Sequence, residues 1–138
     1  MRNVHDEGWD DSELYPPFSL TFIKAEIMAN NEPCYGVDTS YDLDGEYEDQ
    51  IKILENAGLD VSGYTWEVLI ANYIERKDPA FLEDVNFDSE GSTFACSVNS
   101  EEKQTQVVRL IYDLLNDTLT LQELATAISE SPDFNWLK

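Results

Sequence analysis

Apolar residues in this chain change spacing along its length, and the order of those changes constrains the fold more than any single motif. Between positions 18 and 27 they alternate with period two. Phe18, Leu20 and Phe22 fall on one face, and Ile23, Ala25 and Ile27 on the other, as in a strand. Pro16 and Pro17 punctuate its entry. A polar "ANNEP" reads as a turn, and "CYGVDTS" as a second, weaker strand that makes a hairpin. The period then lengthens to about 3.6. Tyr47, Ile51 and Leu54 follow it, and so do Trp66, Leu69, Ile70, Tyr73 and Ile74. Period two returns with Val85 and Phe87, then Phe94, Cys96 and Val98. The helical period closes the chain. Gln104, Val107, Val108, Ile111, Leu114 and Leu115 make one stripe, and Leu121, Leu124, Ala125 and Ile128 another.

End signals agree with these periods. Asp44 is placed to cap the first helix, and Gly58 to close it in the left-handed conformation. Arg76 and Lys77 sit in the last turn of the second helix, and Pro79 stops it. Asp88-Ser89-Glu90-Gly91 suits a type I turn ending in a glycine of positive φ, which would set Val85 opposite Phe94. Ser100 starts the third helix. Thr120 and Glu123 form a capping box for the fourth, with Leu119 and Leu124 as its staple. Phe134 and Trp136 in the closing "DFNWL" are placed to dock on the body.

The order strand, strand, helix, helix, repeated once, predicts an α+β domain: an antiparallel sheet built from two hairpins and covered by about four helices. Residues 1–15 show no periodicity and read as a loose arm, leaving 16–138 as a single domain. A chain of 138 residues buries roughly two-thirds of its unfolded surface, enough for one core.

Charge narrows the function. The net charge is −21. Phosphate affinity comes from Lys and Arg, so nucleic acid and anionic membrane are poor partners, whereas a cationic protein suits. The first fifteen residues have no apolar core of a signal peptide, and no apolar run reaches the roughly 20 residues of a membrane span. The cytoplasm is the expected location, with Cys34 and Cys96 as free thiols.

Catalytic constellations are lacking. The one histidine, His5, lies in the arm, and neither cysteine has a histidine partner. Two distant cysteines do not make a zinc site. A calcium loop with Gly45 sixth would need an acid first and a glutamate twelfth. Ser40 and Ile51 stand there instead. No phosphate-binding glycine motif occurs. The expectation is a binding protein, not an enzyme, with no metal and no cofactor. An inhibitor that mimics nucleic acid and a cation-binding regulatory domain are the alternatives.

The middle of the chain carries a more specific signal. "ENAGLDVSGYTWEVLIANYIE", a short link "PAFLEDV", "NFDSEGSTFACS" and a following helix resemble the immunity protein 51 family of bacterial polymorphic toxin systems. The motif positions are Gly63, Tyr64 and Trp66 at a helix start, then Phe87, Asp88, Glu90 and Phe94 about a turn. "YPPFSLTF" resembles the opening strand, and the resemblance spans residues 17–116. It implies a protein that binds one cognate toxin domain, 1:1, and blocks it. The motif residues read as structural, with Trp66 in the core, so the toxin contact is expected elsewhere.

"DTSYDLDGEYED" is the candidate for that contact. It holds six carboxylates in twelve residues and no cation. Asp38, Asp42, Asp44, Glu46, Glu48 and Asp49 would face a basic cleft of the kind nucleases use for phosphates. Tyr41 and Tyr47 would serve as aromatic anchors.

Overall fold

A computed structural model of the chain describes residues 9–10, 15–23 and 32–138, with side chains from residue 15 onward. His5, Ala25, Ile27, most of the arm and most of the "ANNEP" turn lie outside the described residues. Among the described residues five strands form one antiparallel sheet: β1 (Trp9–Asp10), β2 (Ser19–Ile23), β3 (Cys34–Ser40), β4 (Asn86–Phe87) and β5 (Thr93–Val98). Their spatial order is β1-β2-β3-β5-β4. The two hairpins β2–β3 and β4–β5 are therefore joined along β3 and β5, from Tyr35 opposite Val98 to Ser40 opposite Thr93. Trp9 and Asp10, within the expected arm, pair with Phe22 and Thr21 at the sheet edge.

The helices are α1 (Glu48–Asn56), α2 (Gly63–Lys77), α3 (Pro79–Leu82), α4 (Glu101–Asn116) and α5 (Thr118–Glu130). Short 3-10 segments occupy Leu43–Gly45 and Pro132–Leu137. The α+β class holds, with four longer helices and the four-residue α3. Helices α2 and α4 pack on one face of the sheet. That face carries Leu20, Val37, Phe94, Cys96 and Val98, all buried. Period two makes the alternate residues face away, and there the side chains are small or polar: Ser19, Thr21, Asp38, Ala95 and Ser97.

The α2 stripe is buried as its spacing predicts: Trp66, Leu69, Ile70, Tyr73 and Ile74 are each at most 3% exposed. Burial of a large apolar side chain stabilises by about 1.5–3 kcal/mol, so this stripe is a main support of the core. All six stripe residues of α4 are buried too, Gln104 among them. The Gln104 amide donates to the carbonyls of Thr21 (3.0 Å) and Gly36 (2.8 Å), which fixes α4 over β2 and β3.

Local expectations fare unevenly. Gly58 closes α1 with φ +82°, as predicted. Asp44 does not cap α1; it sits in the preceding 3-10 turn, and Tyr47 occupies the cap position without a side-chain bond. Asp117, not Thr120, caps α5 by accepting from the Thr120 amide. The Thr120 hydroxyl also donates to Asp117, and these bonds hold the Asp117 carboxyl below its ordinary range. With the helix starting earlier, Leu119 points out and is 73% exposed, so no staple forms. In the second hairpin Asn86 faces Ser97 and Phe87 faces Cys96. That register puts Val85 at the level of Val98, not Phe94. Gly91 does not take a positive φ, because the tight turn runs from Glu90 to Thr93, two residues later than predicted.

Candidate functional site

The acidic stretch opens inside the sheet. Asp38 is a half-buried residue of β3 between Ser19 and Ala95, on the face turned away from the helices. The chain leaves the sheet at Tyr41 and folds into a compact knot. The Ser40 hydroxyl donates to Asp42 (2.7 Å) and Asp44 (2.9 Å), and the Asp44 amide donates to Asp42 (3.1 Å). Leu43, Asp44 and Gly45 take φ of 53°, 56° and 75° in succession. Left-handed backbone at the two non-glycine residues costs on the order of 1–3 kcal/mol each. Leu43, 2% exposed, offsets part of that by inserting among Trp66, Phe94 and Ile111.

Around this anchor the carboxylates point outward. Asp42, Asp44, Glu46, Glu48 and Asp49 are exposed, and the last two stand in the first turn of α1, where negative charge suits the helix dipole. Tyr41 is 42% exposed. Tyr47 is half-buried against the core beside Glu46, and burial, then that carboxylate, raises its pKa. Tyr47 thus leans inward, whereas Tyr41 is available at the surface.

The motif residues hold this knot in place. Trp66 is buried, and its indole N–H donates to the carbonyl of Tyr41 at 2.8 Å. The Tyr41 amide donates to the carbonyl of Ser92 in the hairpin turn at 3.0 Å. Gly63 begins α2 directly on that turn, its amide donating to the Gly91 carbonyl at 3.0 Å. A side chain could not fit there: a Cβ on Gly63 would lie 2.1 Å from the Glu90 carbonyl oxygen and 2.2 Å from that of Thr93. Phe94 is buried, and Phe87 packs on it edge to face, with ring centroids 6.4 Å apart. Ser89, which the sequence signal did not single out, pairs with the Ala95 amide through its hydroxyl and takes Glu67 on its own amide.

Glycine, tryptophan and two phenylalanines thus close a helix start onto a hairpin turn, at the positions the motif gives them. The immunity protein 51 pattern matches residues 39–130, more than half of the chain. The chain belongs to the immunity protein 51 family. The match begins at Thr39 in β3 and takes in α5, so it reaches further toward the C-terminus than residues 17–116 and does not include the opening strand. No curated protein and no solved structure matches the chain.

Not every motif residue is internal. Tyr64 is 42% exposed, and Asp88 and Glu90 are exposed. The motif of this immunity-family chain therefore combines a buried half that sets the geometry with a half whose side chains meet solvent. The closing segment divides the same way: Phe134 and Leu137 pack inward, while Trp136 is 59% exposed. Among the described residues no group of three or more His, Cys, Asp or Glu is arranged to hold a metal ion. Among them, too, no helix is long and apolar enough to cross a membrane.

Proposed function

We propose that this protein neutralises a cognate bacterial toxin in the cytoplasm, binding the toxin's C-terminal domain 1:1 through an acidic surface. The toxin best matched to such a surface is a nuclease whose active site is basic. The observation that carries the reading is the exposed carboxylate run from Asp42 to Asp49, held on a chain of net charge −21. Carboxylates on a fixed backbone can occupy a cleft built for phosphates. Charge complementarity also speeds capture, to roughly 10⁸–10⁹ M⁻¹s⁻¹ at low salt. Binding and occlusion require no catalytic group, cofactor or metal.

The test is a rescue assay. The toxin C-terminal domain encoded next to this gene is expressed in a sensitive bacterium, with and without this protein. Survival together with a stable 1:1 complex supports the reading. Death with no co-purification overturns it. Reversing Asp42, Glu46 and Asp49 to Lys tests the surface: affinity and its salt dependence should both fall, and no change in either removes the stretch from the interface.

A further inference from the structure

Five large apolar side chains are exposed among the described residues: Ile23, Tyr41, Tyr64, Leu119 and Trp136. Two of them, Tyr64 and Tyr41, adjoin residues of the Glu90–Thr93 turn, and Trp136 packs on Tyr64. Tyr64 follows Gly63, which bonds to Gly91, and the Tyr64 ring stands 3.9 Å from the Cβ position of Gly91. Trp136 meets Tyr64 edge to face, with centroids 6.2 Å apart. The Tyr41 amide donates to the Ser92 carbonyl of the same turn. These residues come from three separate parts of the chain, and no core requirement accounts for their exposure.

The segments that carry them hold more carboxylates than cations. Glu90 belongs to the turn itself. Asp60 is tied to the segment after Trp136 by its amide bond to the Leu137 carbonyl, at 2.7 Å. Asp133 is one turn from Trp136 on the same 3-10 segment. All three carboxylates are exposed, and Lys138 is the cation closest along the chain. Exposed aromatic rings on segments that also carry exposed carboxylates are a match for a guanidinium or ammonium group, which ring quadrupole and charge both attract. Tyr and Trp are also the side chains that most often centre a protein interface. The backbone beneath is fixed by the close approach of Gly63 and the Trp66–Tyr41 bond, so little ordering remains to be done on binding.

We propose that Tyr64 and Trp136, with Tyr41 at the same hairpin turn, form the aromatic centre of the toxin-contacting surface and seat a cationic side chain of the toxin. This rests on the function proposed above and extends the contact from the acidic knot over the turn to the C-terminal 3-10 segment.

The experiment measures affinity for the adjacent-gene toxin domain by calorimetry, with folding of each variant checked by circular dichroism. Tyr64→Ala and Trp136→Ala should each weaken binding at least ~30-fold, as a hot-spot residue does. Tyr64→Phe, which keeps the ring, should bind like the unaltered protein, and Tyr64→Leu should bind like Tyr64→Ala. Leu119→Ala, at the exposed apolar residue on α5, should change nothing. Wild-type affinity in Tyr64→Ala and Trp136→Ala overturns the proposal while leaving the immunity reading intact. Wild-type affinity in Tyr64→Leu alone overturns the cationic occupant. Self-association of the free protein that both alanine variants abolish assigns the patch to a second copy of this chain, which also overturns it. Absence of any binding by the unaltered protein fails the immunity reading itself.

Discussion

The indole of Trp66 donates to the carbonyl of Tyr41 at 2.8 Å, joining the middle of the core to the first residue of the acidic knot. This bond places a motif residue that never reaches the surface in control of one that does. Trp66→Phe removes the donor and leaves the Tyr41 carbonyl unpaired on that side. A net loss of about 1–3 kcal/mol is expected from the lost bond and smaller ring together. Urea denaturation measures it, and amide shifts of residues 41–45 should report the loosened knot.

Gly63→Ala should be the most disruptive glycine-to-alanine change among the described residues. The added carbon meets two backbone carbonyl oxygens, and neither can rotate away as a side chain would. Overpacking of this kind costs about 3 kcal/mol or more. The denaturation midpoint should fall accordingly, with the amide signals of residues 90–93 displaced in the fraction that folds.

Thr39 offers the opposite outcome. It is 5% exposed, and its hydroxyl has no hydrogen-bond partner. Its surroundings include Phe18, Leu43, Trp66, Ile70 and Phe94. Thr39→Val replaces the stranded hydroxyl with a methyl and should stabilise the fold by about 1–2 kcal/mol. An unchanged or lowered melting temperature would show that the hydroxyl is satisfied in solution.

The two thiols should separate cleanly. Cys96 is buried in β5, and burial, then the charges of Asp38 and Glu67, pushes its thiol far up. Cys34 is half-buried at the start of β3. A thiol reagent at neutral pH should label Cys34 in the native protein and reach Cys96 only with denaturant. Equal native labelling of both would contradict the packing of β5.

Alkali should destabilise the fold. Tyr112 packs on Tyr15 and Phe18, and its hydroxyl donates to the carbonyl of Pro16. Burial, then Tyr47, Tyr15 and Glu46, pushes its pKa from 10.0 up to about 12. A raised folded pKa means the native state holds the proton more tightly than the unfolded chain. That contribution is present in full below about pH 10 and is lost as pH rises toward 12. Tyr47 and Tyr73 are shifted the same way. Tyrosinate absorbance against pH should therefore show late-titrating tyrosines that coincide with unfolding, and Tyr112→Phe should remove its share of the stability change between about pH 10 and 12.

Periodicity made the layers readable. Every stripe residue predicted for α2, α4 and α5 is buried, because a helix packed on a sheet, as α2 and α4 are, or on other helices, as α5 is, repeats its apolar face regardless of local detail. The hairpin turn and the α5 cap were not readable. Two polar residues a few positions apart compete for a cap, and Asp117 wins over Thr120 through an additional side-chain bond. The knot at Leu43 runs against local preference, since leucine seldom adopts positive φ, and tertiary burial of Leu43 together with the Ser40–Asp42–Asp44 bonds holds it there. The surface was half readable. Carboxylate density marked the knot, but Tyr64 sits one position from a glycine that demands contact and two from a buried tryptophan. Nothing in its spacing marked it as the one that turns outward.

The seam between β3 and β5 has a kinetic consequence. Everything from α1 to β4 lies between Ser40 and Thr93, yet these two residues pair. Loop closure over that span must be met before the ladder rewards it, so the central pairing forms late relative to each hairpin and helix alone. Once formed, it also sets the Glu90–Thr93 turn against Tyr41 and Gly63, which bond to Ser92 and Gly91. A newly made chain therefore gains its candidate contact surface together with its central ladder, and the interval before protection begins is set by folding rate as well as by synthesis.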